Sequence, residues 1–323
     1  LTGSRRRALC WHTLMPSICC RCMWWQALLL TAPVALTFIR LRWAYRWPAL
    51  YLPTDSALVH DDGNGLWGAV MTFDQGLLAR LRDAQHMVVF TGAGVSAESG
   101  IATFRDALSG LWSRFDPMRL ATPEAFEDDP ELVWGWYEWR RMQVLSTQPN
   151  PGHLAIAELA KRVPKLTLVT QNVDDLHERA GSADALHLHG SLHQPRCSRC
   201  ASPFSMPPEP PLEPAEGRRL APPRCKQCGG LVRPGVVWFG ESLPVDALEA
   251  AFAAAADCDL LLSVGTSGVV YPAAQVPEIA LQAGAAVVHV NPQPQALGGQ
   301  HEWLLAGAAG EVLPLLLQAA FDE

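Results

Sequence analysis

His86-Met87-Val88-Val89-Phe90 is a short, mostly apolar run, and it passes directly into Thr91-Gly92-Ala93-Gly94-Val95-Ser96-Ala97. Apolar residues without polar alternation read as a strand buried on both faces, the kind found inside parallel sheets. Gly92, Gly94 and Ala97 then fall in the G-x-G-x-x-A spacing of a dinucleotide-binding turn. The first glycine permits the tight turn, the second lets backbone approach a pyrophosphate, and the small third residue lets the next helix pack close to the strand. Taken alone, the motif leaves an ordinary structural turn open. A hydride-transferring dehydrogenase would carry an acidic residue at the end of a second strand about twenty positions on. Thr103-Phe104-Arg105-Asp106 and Gly110-Leu111-Trp112 stand there instead, which counts against that chemistry.

Working outward, further buried strands are expected at residues 166–170, ending in Gln171-Asn172-Val173-Asp174-Asp175; at 259–264, ending in Gly265-Thr266-Ser267; and at 286–290, ending in Asn291-Pro292. Helical spacing before and between them covers residues 75–83 (Leu77, Leu78, Leu81), 153–161 after Pro151, and the Ala-rich run 245–256. Strands alternating with helices predict an α/β fold, a doubly wound, parallel, Rossmann-like sheet. Polar clusters just beyond four strands fit a ligand bound outside the carboxyl ends.

Cys197-x-x-Cys200 and Cys225-x-x-Cys228 lie 24 residues apart. Two such knuckles supply four thiolates to one tetrahedral Zn2+, and with every position taken by Cys the metal has no open site for catalysis and is structural. A small zinc-binding module is therefore expected at residues 191–230, inserted in a catalytic domain spanning 71–323. The Pro-rich stretch between the knuckles, with Glu209, Glu213 and Glu216, is neither basic nor aromatic, so no nucleic-acid partner is expected.

The 323 residues carry a net charge of −7, with 49% hydrophobic and 18% charged residues, which excludes a largely disordered chain. The charge is uneven. Residues 1–70 hold seven Arg and three Asp, a balance of +4 that leaves −11 for the rest, and they hold four of the nine Cys and six of the twelve Trp. This segment is expected to be a non-homologous N-terminal extension, with Met71 as the expected start of the working protein. Residues 22–39 are uncharged between Arg clusters, so a membrane anchor stays open there, although Pro33 interrupts the run. No other membrane contact is expected.

Residues 186–192, Leu-His-Leu-His-Gly-Ser-Leu, alternate like one strand and place His189 at a strand end beside the cysteine module. A base of near-neutral pKa at a cofactor fold suits proton removal from a ribose hydroxyl.

Taken together, Gly92 to Arg105, Thr170-Gln171-Asn172-Val173-Asp174, Leu188-His189-Gly190, the cysteine quartet, residues 236–241, Gly265-Thr266-Ser267 and Val290-Asn291 resemble the sirtuins, NAD-dependent protein-lysine deacylases. The resemblance runs over residues 74–320. It implies that NAD lies on Gly92, Ala93, Gly94, Ser96, Ala97, Phe104 and Arg105, with its adenosine end at Gly265, Thr266, Ser267, Asn291 and Ala309. Gln171, Asn172, Val173 and Asp174 would hold the nicotinamide ribose and carboxamide. His189, Asn172 and Asp174 would be catalytic, with His189 as the base. The implied products are free lysine, nicotinamide and an O-acyl-ADP-ribose; ADP-ribosyl transfer to protein is the alternative. The acylated lysine of a protein substrate would enter as an added strand at Val237, Phe239 and Gly240, opposite Gly268 to Val270.

Tyr137 and Arg140 are three apart and share a helix face. In the class III subfamily a Tyr-x-x-Arg pair marks a pocket for acidic acyl groups, so the resemblance implies removal of succinyl, malonyl or glutaryl groups, with retained deacetylation left open. Ala107 would leave room for the longer chain. Intact zinc thiolates imply a reducing compartment, the cytoplasm.

Overall fold

The computed structural model describes residues 71–102, 116–206 and 217–322. In chain order the elements are α1 (Gln75–Asp83), β1 (His86–Thr91), α2 (Gly94–Ala97), α3 (Pro117–Leu120), α4 (Pro123–Asp128), α5 (Pro130–Ser146) and α6 (Pro151–Leu159). These are followed by β2 (Lys165–Thr170), α7 (Leu176–Arg179), β3 (Leu186–His187), β4 (Gly190–Cys197), β5 (Val232–Val236) and α8 (Val245–Asp257). The chain closes with β6 (Leu260–Val264), α9 (Gln275–Gln282), β7 (Ala286–Asn291), β8 (Glu302–Ala306) and α10 (Ala309–Phe321).

Every residue of β1 is buried, as its unbroken apolar run requires. It lies inside a six-stranded sheet of order β3-β2-β1-β6-β7-β8, in which all pairings are parallel. Successive side chains on a strand point to opposite faces. Met87 and Val89 accordingly join Leu77, Leu81, Ile156, Leu159, Leu313 and Leu316 from α1, α6 and α10 on one face. Val88 and Phe90 join Ala251, Ala255, Val276 and Ala280 from α8 and α9 on the other. From β1 the chain builds out to β2 and β3 on one side, while β6, β7 and β8 fill the other. The order reverses between β1 and β6, which opens the crevice where ligands bind in such sheets.

A third core belongs to α3, α4 and α5, where Phe126, Val133, Trp136, Tyr137 and Trp139 pack against Leu192, Val236 and Trp238. β4 and β5 form a separate antiparallel pair with Gly190 opposite Val236, and this ribbon leads to the four cysteines.

One expectation needs correcting. Residues 186–192 are not one strand: β3 ends at His187 in the large sheet, and β4 begins at Gly190 in the small one. Gly190 has φ +74, and a Cβ there would collide with the carbonyl oxygen of Gly235, so only glycine makes this change of sheet. β8 and α10 were not anticipated at all. Among the described residues no helix is long and apolar enough to cross a membrane. The expected extension, including the uncharged run 22–39, lies outside the described residues.

Candidate active site

The parallel register brings Thr91 level with Thr170 and with Val264, and hydrogen bonds then stitch the strand ends together. Gly92 and Gly94 donate their N–H groups to the carbonyls of Val264 (3.0 Å) and Gly265 (2.8 Å), and Gln171 N–H donates to Thr91 O (3.0 Å). Gln171 Nε2 reaches Thr266 Oγ1 at 2.9 Å, and Asn291 Nδ2 donates to Thr266 O at 2.9 Å. Residues from four strand ends, far apart in sequence, thus form one floor.

A Cβ on Gly92 would lie 2.9 Å from Gly265 O and one on Gly94 would lie 2.7 Å from the same atom. Both glycines are therefore needed for the β1 turn to press onto the end of β6. Ala93 and Ala97 face outward and are exposed, so the outer surface of the turn is open for a ligand. This backbone cradle, with Asn291 and Thr266 beside it, fits a dinucleotide. Ala309 is buried at the start of α10, and Ser267 is exposed at the rim.

Beside the cradle, Ser96, Asn172 and Asp174 form a buried cluster. Ser96 Oγ donates to Asp174 Oδ2 (3.0 Å) and accepts from Asn172 Nδ2 (3.0 Å). Leu176 N–H also donates to Asp174 Oδ1 at 3.1 Å. Burial pushes the Asp174 pKa up, opposed by the hydrogen bonds from Leu176 and Ser96. Val173 carries the chain between the two polar residues and is half-buried.

His189 occupies the break between β3 and β4. Its Nδ1 lies 2.9 Å from the carbonyl of Gln171. A carbonyl only accepts, so Nδ1 carries the proton and Nε2 is left with its lone pair. Burial lowers the pKa of His189, with the Gln171 hydrogen bond opposing. The ring is therefore neutral near pH 7 and basic at Nε2, as a proton acceptor must be. His187 sits behind the same loop, with Nδ1 at 2.9 Å from Asn172 O and Nε2 at 2.7 Å from Glu178.

Arg140 and Asp174 line one small cavity together with Ile101, Gln143, Val173 and Leu192. Tyr137 does not line it. Its hydroxyl is buried in the third core, where Trp238 Nε1 donates to it at 3.0 Å. Arg233 stacks over the Trp238 ring at 3.4 Å and donates to Glu241 at 2.8 Å, so that indole is held from two sides. Sequence reasoning missed Trp238 as a partner of Tyr137, because 101 residues separate them. Phe104, Arg105 and Ala107 lie outside the described residues.

The sulfurs of Cys197, Cys200, Cys225 and Cys228 all lie within 4.8 Å of one another, with Cys197–Cys228 at 3.4 Å and Cys200–Cys225 at 3.7 Å. Zn–S bonds of about 2.3 Å in a tetrahedron require sulfurs roughly 3.8 Å apart. Arg199 and Gln227 also donate N–H groups to Cys197 Sγ and Cys225 Sγ, each at 3.4 Å. The four cysteines are free thiols, and the donor set fits one zinc ion with no position left over.

A crevice at the reversal of a parallel sheet, a glycine cradle and a four-thiol module on a separate ribbon define a dinucleotide-using α/β protein with a structural metal. Residues 92–272 match the Sir2 family, and the chain belongs to that family. A relative from Pseudomonas aeruginosa named NAD-dependent protein deacylase 1 is 67% identical over 241 residues, covering 75% of this chain and 96% of the relative. The crystal structure of a Sir2 homolog–NAD complex superimposes with a TM-score of 0.69 at 46% identity, covering 77% of this chain and 94% of that one. A Sir2 protein bound to acetylated peptide gives 0.64 at 28% identity, covering 76% and 97%.

Proposed function

We propose that the chain is an NAD-dependent protein-lysine deacylase. The observation that carries this is the juxtaposition of the Gly92–Ser96 cradle, the Asn172–Asp174 pair and the neutral imidazole of His189 at one set of strand ends. NAD supplies the electrophile, since loss of its nicotinamide opens a ribose carbon to the acyl oxygen of a modified lysine. Gly92, Ala93, Gly94, Ser96 and Ala97 hold the pyrophosphate, while Gly265, Thr266, Ser267, Asn291 and Ala309 hold the adenosine end. Gln171 and Asn172 orient the ribose, Val173 contributes backbone, and Asp174 binds the carboxamide. His189 Nε2 takes the ribose hydroxyl proton. Zn2+ on Cys197, Cys200, Cys225 and Cys228 keeps the β4–β5 ribbon folded. The catalytic unit is assigned to residues 71–323, with residues 191–230 as the zinc-binding module.

The partner is an acylated lysine in a protein segment, entering near Val237, Phe239 and Gly240. The N–H groups of Val237 and Phe239 are taken by His189 O and Ala121 O, so an added strand meets carbonyls on that side. Such backbone contacts carry little sequence code. Four free thiols suit a reducing compartment, and we assign the protein to the cytoplasm.

The acyl group is assigned as acidic, succinyl, malonyl or glutaryl, on Tyr137 and Arg140. Arg140, which lines the small cavity with Asp174, is the group assigned to the acyl carboxylate, while Tyr137 lies in the third core with its oxygen accepting from Trp238 Nε1. Burial raises the Tyr137 pKa, so the phenol stays neutral there. Arg140 adds a charged donor one helical turn away. Arg140→Met is expected to cut desuccinylation by about 10–100-fold while deacetylation changes less than about threefold, the scale of a lost charge-assisted pair. Equal loss on succinyl- and acetyl-lysine peptides, or no loss on either, removes the assignment. NAD labelled in the adenine tests the overall chemistry, because deacylation leaves the label on a small acyl-ADP-ribose product and transfer leaves it on protein.

A further inference from the structure

The first turn of α6, Asn150-Pro151-Gly152-His153, grips the glycine-rich loop from below. Asn150 Oδ1 caps the helix by accepting from Gly152 N (2.9 Å) and His153 N (3.3 Å). Its Nδ2 donates both protons to the loop, to Val95 O at 2.7 Å and Ser99 Oγ at 3.0 Å. The backbone N–H of Asn150 points at His153 Nδ1, 3.4 Å away. An N–H only donates, so Nδ1 is the acceptor and the single proton of the neutral ring sits on Nε2.

That nitrogen faces Ser96 Oγ at 3.4 Å. Ser96 has two lone pairs and one proton. The lone pairs take Nε2–H of His153 and Nδ2–H of Asn172, and the proton goes to Asp174. With three partners for three valences the hydroxyl has no rotational freedom left. His153 is fully buried and Ser96 nearly so, and burial pulls the His153 pKa down to about 4, so the ring stays neutral. A second buried imidazole, His177, packs against it with ring centroids 4.9 Å apart. Thr91 Oγ1 spends its proton on Thr170 Oγ1, so it accepts from His177 Nε2 at 3.0 Å, and His177 Nδ1 is left as a buried lone pair.

We propose that His153 is a positioning residue, a fixed Nε2–H donor that locks the Ser96 hydroxyl between Asn172 and Asp174 and so holds that pair ready for NAD cleavage. This rests on the deacylase reading, in which Asn172 and Asp174 touch the nicotinamide ribose and carboxamide. His153→Phe keeps an aromatic ring but removes both the Nε2–H donor and the Nδ1 acceptor of Asn150 N–H; His153→Gln keeps an N–H donor in place of Nε2.

The test is a double-mutant cycle of His153→Phe with Ser96→Ala in the full chain. It is read in kcat/KM for NAD, in NAD affinity by calorimetry and in thermal unfolding of the NAD-free protein. His153→Phe is expected to cost about tenfold in kcat/KM and several-fold in affinity with Ser96 present, and less than about twofold with Ser96→Ala, because its partner is gone. The unfolding effects should be non-additive in the same sense, and His153→Gln should recover to within about threefold of the parent. Equal losses in both backgrounds overturn the proposal, as does a Gln variant that melts like the parent yet is as impaired as the Phe variant. An unsubstituted protein that binds NAD but frees no lysine would instead overturn the deacylase reading, and the affinity and unfolding cycles would still decide the role of His153.

Discussion

His189→Asn is expected to lower kcat for deacylation by about 10²–10⁴-fold, the range for losing a positioned proton acceptor, while changing the NAD dissociation constant by less than about threefold. Asparagine is the informative choice because its amide N–H reaches where Nδ1–H now meets the Gln171 carbonyl. Only the Nε2 lone pair disappears. The parent enzyme should also lose kcat/KM as pH falls through the pKa of His189, which burial sets below the ordinary histidine value. The sign follows from the role: a base works only when neutral, so activity is full above that pKa and fades below it. The variant should lack this acid limb. An unchanged kcat, or an acid limb that survives in His189→Asn, would move the base elsewhere.

Removing zinc is expected to have the second largest effect. Structural zinc sites contribute folding free energy on the order of 10 kcal/mol at neutral pH, and here the sulfurs sit at the tips of a two-stranded ribbon with little core of its own. That ribbon starts at Gly190, next to His189, and its Leu192 and Val236 pack with Tyr137 and Trp238. Loss of the metal therefore propagates to His189 and to the core around Tyr137 and Trp238. The native protein should contain one zinc per chain. Chelation or Cys225→Ser should lower the melting temperature by about 10 °C or more and deacylation by at least about tenfold, with zinc restoring the chelated protein. Full activity in a zinc-free protein would show that the ribbon folds without it.

The sheet was legible because β1, β6 and β7 are fully or almost fully buried strands, and β2 is buried in its C-terminal half, with apolar runs that stop abruptly at polar residues. The four cysteines were legible from spacing alone. β8 was missed because it is an edge strand of half-exposed residues, and α10 because Pro314 stands inside it. Alternation in residues 186–192 signals extended backbone but does not say which sheet each half joins, and only the positive φ of Gly190 divides it. His153 carried no local signal beyond a helix start after Asn150-Pro151, and Trp238, though inside the 236–241 stretch, carried none that pointed to Tyr137. Their partners, Ser96 and Tyr137, lie 57 and 101 residues away, and pairings of that span follow from the fold and not from periodicity.

The measurement that bears most directly on the whole account uses the protein with NAD and matched succinyl- and acetyl-lysine peptides, quantifying every product by mass spectrometry. The account predicts one nicotinamide and one O-acyl-ADP-ribose for each lysine freed, no reaction without NAD, and faster turnover of the succinyl peptide. Lysine freed without NAD, or nicotinamide released with both peptides intact, would contradict it.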